Sequence, residues 1–363
     1  MPRIDSFLKL GLAQWCSDVH LAVGVPPMLR MHGDLMPIKF RDLTDTELDA
    51  YITEILAQNQ QDRLKDGHDL DFSYVSEDGG RFRVNVFRKA TGVGATFRFI
   101  PQEIPTLDSL KLPGIIGDLC DHHQGMVLVT GSTGTGKSTT LAAMVDHINC
   151  NRSLNIISLE DPIEFVHESQ RCQIIQRELN THLPSFAEGI RAALREDPDV
   201  ILVGEMRDAE TISMAMTAAE TGHLVLGTLH TTGAAKTIDR MIDALPGEMR
   251  EQTKSFLGMG LNAVVTQTLV KTPDGRGRRA VMEIMVMTRA IAKMIATDQT
   301  HQIPAQIQTG GDLGMQLMDH ALMEGIQSKE IDPDDAFRFA TDKNAFQKYV
   351  TDTSMLPKLE VPA

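Results

Sequence analysis

The early part of the chain trades polar for apolar residues one at a time. Arg81-Phe82-Arg83-Val84-Asn85-Val86-Phe87 alternates throughout, which predicts a strand with one buried face. Ala95–Ile100 predicts a second strand, with Gly92 and Gly94 supplying the turn before it. Over Asp45–Leu64 the apolar spacing predicts one amphipathic helix, with Thr44 as N-cap and Glu47 completing a capping box. Pro101 and Pro105 punctuate a linker. From about Gly125 to Ile295 the pattern changes. Met126–Thr130, Ile156–Leu159, Val200–Val203 and Leu224–Leu229 are unbroken apolar runs separated by helical stretches. Such runs suit strands covered on both faces in a parallel sheet, so the fold class is α/β. From about Gln302 the chain reads as helical and acidic. The predicted division is an N-terminal domain over 1–100, a linker over 101–124, a nucleotide-binding domain over 125–300, a helical region over 301–350 and a disordered tail over 351–363.

Length and charge narrow the function. The 363 residues suffice for about two domains with buried cores. With 35 Lys plus Arg against 49 Asp plus Glu, the net charge is −14, which repels phosphate backbones and disfavours general nucleic-acid binding. Arg276, Arg278 and Arg279 form the one basic patch, which a solvated hairpin turn explains, and few aromatic residues offer stacking platforms. Cys16, Cys120, Cys150 and Cys172 lie far apart with no CxxC pair, which suits a reducing cytoplasm. No signal peptide is apparent, and no apolar run reaches the ~20 residues that cross a bilayer, so any link to a membrane is expected to run through a partner.

The strongest motif is Gly131-Ser132-Thr133-Gly134-Thr135-Gly136-Lys137-Ser138, followed by Thr139. It fits G-x-x-x-x-G-K-[ST], with a predicted strand entering and a predicted helix leaving. Glycines let backbone N–H groups turn inward around phosphates, and the helix N-terminus adds a favourable dipole. Lys137 is placed to reach the β- and γ-phosphates, and the Ser138 hydroxyl to bind Mg²⁺. ATP and Mg²⁺ are therefore the expected cofactors. Hydrolysis also needs a carboxylate that aims water. Asp197-Pro198-Asp199 leads into Val200–Val203, and Glu205 emerges beyond it at the strand end where ligands bind in open α/β sheets. Many phosphate-loop enzymes carry an Asp at the place held here by Gly204, so Glu205 is the candidate base. Glu160, ending another run, is the candidate for holding Mg²⁺ or its water. His230 follows Leu224–Leu229 and could sense the γ-phosphate, whereas His223 precedes that strand, where packing or an interface suits it as well.

The segments GSTGTGKSTT, LEDPIEFVHES, REDPDVILVGEMRDAET and AAETGHLVLGTLHTTGAAKTIDR resemble the secretion ATPases of type II secretion and type IV pili, and among them the pilus retraction group, PilT and PilU. The likeness spans nearly the whole chain and thins after about Asp332. It implies a PAS-like first domain, a RecA-like ATPase domain and a homo-hexameric ring with nucleotide near domain and subunit boundaries. It further implies a cytoplasmic motor at the inner membrane that acts on a pilus platform protein, with no nucleic-acid partner and no membrane insertion. By the same likeness the phosphate loop is Gly131–Ser138, the acidic box Ile157–Glu164, the catalytic glutamate Glu205, the family histidines His223 and His230, and the arginines brought to the nucleotide Arg81, Arg83 and Arg98.

Two departures bear on the role. The retraction motif AIRNLI is replaced by Ala290-Ile291-Ala292-Lys293-Met294-Ile295, and Thr272–Val281 with the long acidic tail is more similar to PilU, an accessory motor that could assemble with a related retraction ATPase. The four-cysteine zinc module common in extension ATPases has no counterpart here. The competing expectation is an ATP-binding regulatory subunit that docks on a partner motor.

Overall fold

A computed structural model describes residues 2–14, 16–31, 34–100 and 103–355. The chain forms two compact units, one running to Glu103 and including Pro162–Val166, the other comprising Ile104–Asp161 and the chain from His167 onward.

The first unit contains α1 (Asp5–Ala13), β1 (Asp18–Ala22), β2 (Met28–Met31), β3 (Asp34–Pro37), α2 (Asp45–Thr53), α3 (Gln58–Lys65), β4 (Leu70–Val75), β5 (Arg81–Lys89) and β6 (Gly92–Ile100). Its six-stranded antiparallel sheet has the order β3-β2-β1-β6-β5-β4. The alternation over β5 holds: Phe82, Val84 and Val86 are fully buried, while Arg81, Arg83 and Asn85 lie on the other face. Three sequence expectations change. The β5–β6 turn falls at Ala90–Thr91, and both Gly92 and Gly94 lie within β6. The single helix predicted over Asp45–Leu64 is two helices. At the break, Gln60 Oε1 accepts from the Ala57 N–H (2.9 Å) and Gln61 Nε2 donates to the Leu56 carbonyl (3.0 Å), so side chains replace the missing helical bonds. The Thr44 hydroxyl does not cap α2: it donates instead to the Glu47 carboxylate (3.5 Å), which also takes Arg41 and the Tyr51 hydroxyl. Those hydrogen bonds, the Arg41 guanidinium first, hold the Glu47 carboxyl down at about 2.

The second unit contains α4 (Ile115–Cys120), β7 (Gly125–Thr130), α5 (Lys137–Asn151), β8 (Asn155–Glu160), β9 (Gln173–Glu178), α6 (Phe186–Ala193), β10 (Val200–Val203), α7 (Ala209–Glu220), β11 (Leu224–Leu229), α8 (Ala234–Ala244), α9 (Arg250–Gly260), β12 (Leu261–Lys271), β13 (Arg278–Val286), α10 (Arg289–Ala296), α11 (Ile303–Thr309), α12 (Met318–Gln327), α13 (Pro333–Phe339) and α14 (Lys343–Phe346). Its seven-stranded sheet has the order β13-β12-β7-β11-β10-β8-β9. All pairings are parallel except the β12–β13 hairpin. The unbroken apolar runs have the cause expected of them. Met126, Leu128, Ile157, Leu159, Ile201 and Val203 enter one core, and Val127, Val129, Ile156, Val200 and Leu202 enter another on the opposite face. Residues 104–124, read as a linker, group with this unit, and Ile116 and Leu119 of α4 are buried in the second of those cores. At the C-terminal end, Leu322, Phe337 and Phe346 pack with Val270 and Val281 of the hairpin. The tail expected to be disordered is ordered to Met355, where the Thr351 N–H donates to Asp334 (2.7 Å) and residues 353–355 form a 3-10 turn. Its remainder, 356–363, lies outside the described residues.

Candidate active site

Parallel pairing puts the C-terminal ends of β7, β8, β10 and β11 on one edge of the sheet. The loop after β7 turns directly into α5, whose 15 residues present a helix N-terminus to that edge. Gly131 lies in the left-handed region (φ 142°), and a Cβ there would sit 2.4 Å from the Gln267 carbonyl oxygen, so the loop entrance requires glycine. Lys137 is nearly buried and folds back to donate to the Gly131 and Ser132 carbonyls (2.8 and 3.0 Å). These bonds aim the ammonium into the loop, where a β/γ-phosphate competes for it. Ser138 is exposed in the first turn of α5.

Glu160 ends β8 and accepts from the Ser158 hydroxyl (2.6 Å) and Gln176 Nε2 (3.0 Å). Beyond β10, Gly204 lies so close to β8 that a Cβ would sit 3.0 Å from the Leu159 carbonyl and 3.3 Å from Glu160 Cα. A side chain at this position would crowd the end of β8, and the carboxylate stands one residue on, at Glu205. Arg207 grips Glu205 with two N–H groups, one of them at 2.6 Å, and His230 Nε2 lies 2.8 Å from Glu205 Oε1. Burial pushes the Glu205 carboxyl up, but Arg207, and after it His230, outweigh burial and hold it below the usual carboxylate range. It is therefore ionised at neutral pH and able to accept a proton.

Lys137, Ser138, Glu160, Glu205 and His230 thus share one edge, with the loop residues Ser132, Thr133, Gly134, Thr135, Gly136 and Thr139 beside them. His223 does not share it. It precedes β11, where its carbonyl accepts from the Gly125 N–H (3.1 Å) at the opposite end of β7, and its ring bonds the Ala218 carbonyl (2.9 Å). Arg81, Arg83 and Arg98 belong to the first unit. Arg83 stands across from Arg98 in the β5–β6 pair, and Arg98 Nε donates to the buried Asp18 carboxylate (2.9 Å). Asp199 acts at the start of β8, where its carboxylate accepts from the Asn155 N–H (2.8 Å).

Two residues escaped the sequence reading. Arg207 stands two positions after Glu205, and that spacing in extended chain was the available signal. Gln267 was masked by its apolar strand. It is buried, donates to the Thr135 carbonyl (2.7 Å) and accepts from the Thr140 hydroxyl (2.7 Å), bracing both limbs of the loop. A polar Thr266-Gln267-Thr268 run inside a buried strand was the sign of it. Gln267→Leu is expected to leave both loop partners unpaired, costing about 2 kcal/mol in urea unfolding. Nucleotide affinity should fall with it, as read by displacement of a fluorescent nucleotide.

A glycine-rich loop between a central parallel strand and a helix, facing an ionised carboxylate two strands away, defines a RecA-like phosphate-loop ATPase domain. The family model "Type II/IV secretion system protein" matches residues 29–332. The type IV pilus retraction ATPase PilT of Pseudomonas aeruginosa is 47% identical over 326 residues, 90% of this chain and 94% of that protein. The type IV pilus ATPase PilU of the same organism is 37% identical over 342 residues, 94% of this chain and 90% of that one. A crystal structure of the pilus retraction motor PilT with bound ADP superposes with a TM-score of 0.88 at 38% identity, covering 94% of this chain and 97% of that one. The chain belongs to the type II/IV secretion system protein family, in its pilus retraction ATPase group.

Proposed function

We propose that this protein is an ATP-hydrolysing motor for type IV pilus retraction. The observation that carries the reading is the shared sheet edge, where a phosphate loop with its lysine faces Glu205, already paired with His230. Glu205 orients a water for in-line attack on the γ-phosphorus and takes its proton as the new P–O bond forms; the bond to the ADP oxygen breaks, and ADP leaves carrying that electron pair. His230 touches Glu205 and exposes part of its ring, so it can report the presence of the γ-phosphate to the carboxylate. Lys137 neutralises charge on the β- and γ-phosphates.

Mg²⁺ suits the donors present. Ser138 and Glu160 offer hard oxygen atoms, and no group of three or more His, Cys, Asp or Glu side chains among the described residues forms a metal cage. That is the pattern for an ion held by one or two side chains, phosphates and water. Bound there, the ion would draw charge from the phosphates.

A homo-hexamer, with Arg81, Arg83, Arg98 and His223 completing the nucleotide site from domain or subunit boundaries, fits the family likeness. So does work on an inner-membrane platform protein from the cytoplasm. Among the described residues no helix is long and apolar enough to cross a membrane. The Ala290–Ile295 segment, lying in α10 without the Arg and Asn of the retraction motif, favours a PilU-like accessory role as the second reading. Deleting the gene in a piliated host should leave persistent fibres that do not retract. Bald cells would assign the protein to extension instead, and normal retraction with a partner motor intact would favour the accessory role.

A further inference from the structure

Glu205 has to do more than be ionised. To aim water it must present one oxygen in one direction, and a carboxylate on a freely turning stem does not. The groups around it settle which oxygen that is. Arg207 Nε donates to Oε1 and Nη2 to Oε2 (2.6 Å), a forked contact that uses both oxygens. His230 Nε2, from the end of β11, lies 2.8 Å from Oε1, where an N–H on that nitrogen donates. An ionised carboxylate offers about four acceptor sites, two on each oxygen. Arg207 fills one on each and His230 fills the second on Oε1, so among the described residues the site left open is the second on Oε2.

Arg207 is itself anchored from both sides. Met206 before it is buried, and its N–H donates to the Thr228 carbonyl of β11 (3.1 Å). Asp208 after it caps α7, accepting from the Thr211 N–H and hydroxyl (2.8 Å each). The backbone at Arg207 is therefore fixed, and the guanidinium reaches Glu205 from a set origin. The side chain is 70% exposed, so it carries no core packing. An exposed ion pair with one point of contact contributes little. The fork is the exception, because it fixes the plane of the carboxylate as well as its charge.

We infer that Arg207 is a positioning residue for hydrolysis: with His230 it locks the Glu205 carboxylate so that the attacking water is taken at Oε2. The inference deepens the ATPase reading and rests on Glu205 being the base. The water gives its proton to Oε2 as its oxygen bonds to the γ-phosphorus, and the electron pair of the broken P–O bond leaves on ADP. Arg207 stays protonated throughout and acts only through the carboxylate it holds.

The test is ATP hydrolysis by the full-length chain, in steady state and single turnover, with Arg207→Ala, Arg207→Lys, Glu205→Gln and the double variant Glu205→Gln/Arg207→Ala. In Arg207→Ala kcat should fall about 10- to 100-fold, the cost of a misaimed water, while KM stays within about twofold. Thermal unfolding should match wild type, because no buried packing is lost; should alanine unfold, the lysine protein supplies the same comparison. Arg207→Lys keeps the charge and loses the fork, so it should stay as slow as alanine. In the Glu205→Gln background, Arg207→Ala should cost nothing further. Wild-type kcat in Arg207→Ala overturns the inference. So does a rise in KM or full recovery with lysine, since either makes Arg207 a charge acting on phosphate. An undiminished further loss in the double variant also overturns it, because Arg207 then acts without Glu205. A Glu205→Gln protein with full turnover would instead sink Glu205 as the base, and this inference with it.

Discussion

Glu205→Gln is expected to lower ATP turnover by about 10² to 10⁴, the range that a positioned base supplies, while leaving nucleotide bound. The substitution keeps size and shape and removes only the negative charge and the ability to take a proton. Its structural consequence should be small, because Arg207, which loses its ion-pair partner, is 70% exposed and can be solvated. Thermal unfolding should therefore be little changed. The measurement is phosphate release under steady state, together with retention of labelled nucleotide after rapid gel filtration. Stalled turnover with trapped nucleotide is the expected pair of results. Full turnover in the variant would remove Glu205 from the chemistry.

Lys137→Ala should act one step earlier. The ammonium is nearly buried and bonded to two loop carbonyls, so it is held in place before any phosphate arrives. Removing one member of a buried charge pair costs about 2 to 5 kcal/mol, so ATP binding should weaken by roughly 10² to 10³ or more. Turnover at ordinary ATP concentrations then disappears. Lys137→Arg should not restore it, because a planar guanidinium does not fit a space shaped for a point charge. Equilibrium binding of a fluorescent nucleotide checks this, and affinity within about threefold of wild type would contradict the assignment. The two variants separate functions that turnover alone confuses: one protein binds and stalls, the other does not bind.

Much of this site could be read from sequence because its elements are local. The phosphate loop is contiguous, and its glycines and lysine are fixed by turn geometry and by the helix that follows. Glu160, Glu205 and His230 could be placed because each follows an apolar run, and the ends of parallel strands converge wherever such runs pair. The helical reading of Asp45–Leu64 failed for the opposite reason. Gln60 and Gln61 offered the backbone other partners, and periodicity carries no record of that competition.

By itself, then, the sequence determined the α/β class, the glycine-rich loop ahead of α5 and the place of Glu205 beyond a strand end, since each follows from spacing along the chain. Only the tertiary structure decided that Gln267 braces the loop and that Gly204 is pressed against the end of β8. Those facts depend on β12 lying beside β7 and β8 beside β10. Which strand lies against which is settled by packing between distant segments, and no local pattern of residues encodes it.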